Sequence, residues 1–124
     1  MADLSRQLQD VTAQYQEIQK DLADVIAARQ KLDSQLQENQ NVQKEFATLA
    51  DDANIYKLIG PVLLKQDKAE AVMNINRRLE HIQSEIKRVE TQLKSLGDKS
   101  DQKKVEIIQI QTQMQTGAPQ GLAA

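Results

Sequence analysis

Two long stretches of this chain carry apolar residues at alternating intervals of four and three. The first runs Leu4, Leu8, Val11, Tyr15, Ile18, Leu22 and Val25, then Leu32, Leu36 and Phe46. The second runs Val72, Ile75, Leu79, Ile82, Ile86, Val89, Leu93 and Leu96, then Ile107, Ile110 and Met114. A repeat of this kind draws one narrow stripe along a helix and specifies pairing with a second helix. Arg29, Asn39 and Gln43 fall on the first stripe, and after Asn39 the apolar positions slip to Val42, Phe46 and Leu49, which predicts a local change of register. Asn39 reads as a register-setting polar residue, and Arg29 as a side chain whose stem lies on the seam while its guanidinium reaches water. The second stripe keeps one phase, with Ser100 and Lys103 as its polar members.

Composition agrees with helices rather than a bulky core. Among 124 residues only Tyr15, Phe46 and Tyr56 are aromatic, and there are two prolines and four glycines. The formal net charge is −2, so the field that draws proteins onto phosphate backbones is missing and nucleic acid is not an expected partner. The absence of cysteine removes disulfide and thiolate chemistry. No apolar run reaches the length of a bilayer span, and Met1 to Leu8 lacks the core of a signal peptide, so a cytoplasmic location away from membranes is expected.

The segment between the stripes has another character. Seven Ile, Leu, Val and Tyr residues fall within ten positions around Gly60-Pro61, whereas a plain loop avoids that much apolar surface. The expected organisation is a first helix over about 4–50, a β-hairpin over about 54–66 and a second helix over about 68–116, all in one domain of residues 1–116. A disordered tail is expected over 117–124. Asp67 with Glu70 marks the second helix start as a capping pair, and Gly117 with Pro119 marks its end. The class is mainly α: an antiparallel two-helix coiled coil with arms of roughly 65–70 Å at 1.5 Å per residue. In the hairpin, Gly60 and Pro61 form the turn, and Tyr56, Leu58, Val62 and Leu64 are expected on one more apolar face. A two-stranded hairpin is marginal alone and leaves its edges open, so it calls for partner chains.

At the opposite helix ends, Leu4, Leu8 and Val11 meet Val105, Ile107, Ile108, Ile110 and Met114. Val105 and Ile108 lie off the stripe, giving more apolar surface than one partner helix covers, and this makes the ends a candidate binding site. Gly97, beside Asp98 and Asp101, is expected as a soft point or bend. Chemistry is absent. His81 has no second imidazole or cysteine with which to hold a metal, the glycines are too scattered for a phosphate loop, and no catalytic, cofactor or metal site is expected. Arg77-Arg78, Lys87-Arg88 and Lys103-Lys104 alternate with Glu80, Glu85, Glu90 and Glu106 as solvated helix flanks do.

The string Tyr56-Lys57-Leu58-Ile59-Gly60-Pro61-Val62-Leu63-Leu64-Lys65-Gln66 resembles the hairpin signature of β-class prefoldin subunits, and its Gly-Pro-Val turn with the following Lys-Gln points to one eukaryotic subtype. Arg29-Gln30-Lys31-Leu32, with Gln35, Glu38, Asn39 and Val42, supports the likeness in the first helix. Arg77, Leu79, Ile82, Glu85, Ile86, Lys87 and Glu90 support it in the second. The resemblance implies a hexamer with two α-class and three further β-class chains, whose hairpins join into a double β-barrel platform carrying six helical arms. It also implies binding of unfolded proteins such as nascent actin and tubulin without ATP, and their transfer to the cytosolic group II chaperonin. The competing reading is a coiled-coil adaptor or tether that binds folded partners.

Overall fold

The computed structural model describes residues 2–117. The order is α1 (Ala2–Thr48), β1 (Ile55–Ile59), β2 (Val62–Gln66) and α2 (Lys68–Thr116): two long helices with a two-stranded antiparallel hairpin between them, as the stripes and the turn predict. α1 stops two residues short of the expected position 50. There the Leu49 amide donates to the Phe46 carbonyl at 3.2 Å, a tightened last turn that releases the chain into the link. Asp67 caps α2, its carbonyl accepting the first intrahelical bond from the Ala71 amide at 2.9 Å. Lys68 Nζ donates to the Leu49 carbonyl at 2.6 Å and lies 3.4 Å from Asp51 Oδ1, so the start of α2 satisfies an orphan carbonyl at the end of α1. Gly117 ends α2 with φ +65, the left-handed conformation that glycine adopts without steric cost. Of the disordered tail expected over 117–124, only Gly117 is described; the rest, Pro119 with it, lies outside the described residues.

Contacts divide the chain into two compact units, Ala28–Val89 and the segments flanking it on both sides. In Ala28–Val89 the buried apolar residues are Ile55, Ala71, Ile75, Leu79, Ile82, Ile86 and Val89. The α2 seam therefore begins at Ala71, with Val72 only half-buried. Leu32, Leu36, Val42 and Phe46 of α1 are half-buried and Gln43 is exposed, which follows the register slip after Asn39. Asn39 does not tie the helices together, because its Nδ2 donates to the Gln35 carbonyl of its own helix at 2.6 Å. One side-chain tie across the helices is Gln43 Nε2 donating to Asn76 Oδ1 at 2.8 Å. Arg29 stays half-buried on the seam, with Nε 3.5 Å from Asp33 Oδ2 one turn on.

In the flanking unit the seam residues Leu4, Leu8, Val11, Tyr15, Ile18, Leu22 and Val25 are half-buried. So are Leu93, Leu96, Ile107, Ile110 and Met114. Ser100 is buried here and accepts from Gln19 Nε2 at 2.7 Å, a polar layer that fixes the pairing of two antiparallel helices. α2 runs unbroken through Gly97, so the expected soft point is no interruption of the helix. Among the described residues no helix is long and apolar enough to cross a membrane.

Ile82 is only 4% exposed, and truncating it leaves a cavity that a pair of helices partly closes. Ile82→Ala is expected to cost about 2 kcal/mol, the low end for core truncations, measured by chemical denaturation. A change of a few tenths would show that the seam does not carry the stability of this unit.

Candidate assembly interface

The hairpin turns on Gly60 with φ +57 followed by Pro61, whose ring holds φ negative. That sign order belongs to a two-residue type II′ turn, whose twist matches the flanking strands, and glycine supplies the left-handed first position. The register pairs Ile55 with Gln66, Tyr56 with Lys65, Lys57 with Leu64, Leu58 with Leu63 and Ile59 with Val62. Paired residues share a face and neighbours along a strand alternate. One face therefore holds Tyr56, Leu58, Leu63 and Lys65. The other holds Ile55, Lys57, Ile59, Val62, Leu64 and Gln66.

This corrects the expected single apolar face. Tyr56 and Leu58 lie on one side, while Val62 and Leu64 lie on the other, because the two-residue turn pairs even positions of β1 with odd positions of β2. Leu63 and Ile59, absent from the expected set, complete the two faces. All six of these large apolar side chains are exposed, up to 67% at Leu58 and 63% at Leu63. The sheet has only these two strands, so among the described residues each strand also presents an unpaired edge.

Where the hairpin meets the helices, buried Ile55 is part of the wall of an open groove of about 150 Å³ that Val42, Phe46, Tyr56, Ala71 and Ile75 also line. Lys57, Gln66, Asn74 and Arg78 supply its polar lining. Three separate segments build this groove, which is why no single stretch of sequence announces it.

At the helix ends, Leu4, Val11 and Ile110 line an open groove with Asp10, Glu106 and Gln109. Leu8, Ile107 and Met114 are half-buried beside them. Val105 and Ile108 are 53% and 60% exposed, as their off-stripe positions predict. On the α2 flank Arg88 donates from Nη2 to Glu85 Oε2 at 2.8 Å, and these hydrogen bonds hold the Glu85 carboxyl below the usual carboxylate range. Arg88 is exposed and Glu85 half-exposed, so the pair is a surface feature of little weight in stability. His81 is exposed on the same helix. Among the described residues no group of three or more His, Cys, Asp or Glu is placed to hold a metal.

The prefoldin subunit family profile matches residues 9–114. Prefoldin subunit 6 of Bos taurus is 42% identical over 93% of this chain and 90% of its own length. The Arabidopsis thaliana prefoldin subunit 6 is 43% identical over 92% of this chain and 88% of its own. Subunit six is the subtype to which the hairpin string points. Among solved structures, the prefoldin beta subunit from Thermococcus strain KS-1 superposes with a TM-score of 0.77 at 27% identity, covering 91% of this chain and 95% of that one. The two helices, the hairpin between them and the match along nearly the whole sequence place the chain in the prefoldin family, non-enzymatic chaperone subunits that assemble with other prefoldin subunits.

Proposed function

We propose that the chain is a β-class member of a hexamer with two α-class and three further β-class prefoldin chains, and that this hexamer holds unfolded proteins without ATP. The hairpin residues Tyr56, Leu58, Gly60, Pro61, Val62 and Leu64, with Ile59 and Leu63, join neighbouring hairpins into a barrel platform in the cytoplasm. The helix ends, through Leu4, Leu8, Val11, Val105, Ile107, Ile108, Ile110 and Met114, hold clients of the nascent actin and tubulin type and pass them to the group II chaperonin. The observation that carries the reading is the hairpin itself. Six large exposed apolar side chains on two five-residue strands are a poor end state in water, and burying each contributes about 1.5–3 kcal/mol. Neighbouring strands cover both the faces and the open edges.

Native mass spectrometry tests this directly. The purified chain mixed with α-class and other β-class subunits is expected to give a six-chain species containing it, and omission of the α-class chains to abolish that species. A chain that stays outside every six-chain species under these conditions refutes the proposed role.

A further inference from the structure

We propose that the Lys57 face of the hairpin, with the groove beneath it, docks an apolar segment bearing a carboxylate from a neighbouring subunit of the hexamer, while the Tyr56 face lines the barrel. The inference rests on the platform assembly proposed above and assigns each hairpin face its own partner.

A barrel covers one face of each of its strands and leaves the other outside. Here both faces carry three large exposed apolar side chains, Tyr56, Leu58 and Leu63 on one and Ile59, Val62 and Leu64 on the other. Barrel closure alone therefore leaves a dense apolar patch in water, and such patches mark interaction surfaces.

The two lysines decide which face turns inward. Lys57 is the central residue of β1, so on an inner face its ammonium sits amid packed side chains without a partner, a costly burial. Lys65 is the last residue but one of β2, beside the start of α2, where its stem lies along apolar neighbours and its amine reaches water at the barrel mouth. The Tyr56 face is thus suited to the interior and the Lys57 face to the outside.

The groove then specifies the occupant. The outer face continues through buried Ile55 onto Val42, Phe46 and Ile75, an apolar floor contiguous with the hairpin. Two cations, Lys57 and Arg78, line it, and none of its lining residues is acidic. Neither cation forms an ion pair with a described residue, whereas Arg29, Lys68, Arg88 and Lys103 all do. An apolar floor flanked by two cations without acidic partners complements an apolar segment with an Asp or Glu side chain.

The test uses the reconstituted hexamer. In the wild-type complex, carbodiimide, which joins an amine to a carboxylate only when they touch, is expected to link Lys57 to an Asp or Glu of a neighbouring subunit. Lys57→Glu with Arg78→Glu is expected to weaken assembly about tenfold or more at low salt and to reverse its salt dependence, since screening then relieves a repulsion, with helicity by circular dichroism unchanged. Lys99→Glu, the same kind of charge change in the other unit, is expected to leave assembly as it was. The inference is overturned if Lys57 links to no neighbouring chain and the double variant assembles like wild type at every salt concentration. A wild-type chain that forms no hexamer overturns the platform reading and this inference together, so the two failures are told apart.

Discussion

Leu58→Asp combined with Val62→Asp is expected to abolish hexamer formation while most of the helicity persists. The two residues lie on opposite faces of the hairpin, so the pair places a carboxylate on each apolar surface at once. Both side chains are exposed in the single chain, and the buried stripe from Ala71 to Val89 does not include them, so the substitutions leave the helix pairing of the isolated subunit intact. In the assembly the Leu58→Asp carboxylate is buried among the packed side chains of the Tyr56 face, where its desolvation adds to the few kcal/mol lost with the leucine, and Val62→Asp replaces an apolar contact that the Lys57 face offers its neighbour with a charged one. Native mass spectrometry of the mixed subunits reads the loss, and circular dichroism reads the retained helices. Each single variant separates the faces: Leu58→Asp strikes the Tyr56 side and Val62→Asp the Lys57 side. Intact six-chain complexes from the double variant would show that the hairpin is not the assembly element.

The helices were legible because a period of three and a half residues is a local property, written into every turn of both stripes. The hairpin was legible for a similar reason: the glycine before Pro61 both breaks the helix pattern and meets the demand of a II′ turn for a left-handed first residue. Which side chains share a hairpin face was not legible from alternation alone. Alternation fixes the faces within one strand, but the register across the turn decides which set of β2 joins which set of β1, and counting Tyr56, Leu58, Val62 and Leu64 as one set assumed a parity that the two-residue turn reverses. The register ties escaped for another reason. Gln19 and Asn76 lie off the apolar stripes in a chain rich in glutamine, and only the pairing of the helices brings them opposite Ser100 and Gln43. The one polar residue singled out for that role, Asn39, spends its amide on its own helix. At the helix ends the exposed positions of Val105 and Ile108 followed from phase, because a residue off the stripe of a two-helix pair has no second helix to meet.

Ending the chain after Lys104 is expected to leave assembly intact and to reduce severalfold the protection that the hexamer gives a denatured client against aggregation. The truncation removes Val105, Ile107, Ile108, Ile110 and Met114 but spares the hairpin and, among the described residues, every buried apolar side chain, all of which lie from Ile55 to Val89. One helix end offers too little apolar area to hold an unfolded chain tightly, so holding relies on several arms engaged at once, where linked weak sites multiply and losing one lowers the whole product. Truncation also strips Leu4, Leu8 and Val11 of their α2 neighbours. A companion variant, Val105→Ser with Ile108→Ser, therefore removes only side chains that are already exposed and keeps the half-buried seam. It is expected to lower protection as well, to a smaller degree, since Ile107, Ile110 and Met114 remain. Light scattering of a chemically denatured client diluted into each complex measures the effect, with native mass spectrometry confirming equal oligomeric state, and added ATP is expected to change neither curve. If both altered complexes protect the client as fully as the parent, the ends of this subunit do not hold clients and its contribution to the hexamer is confined to the hairpin.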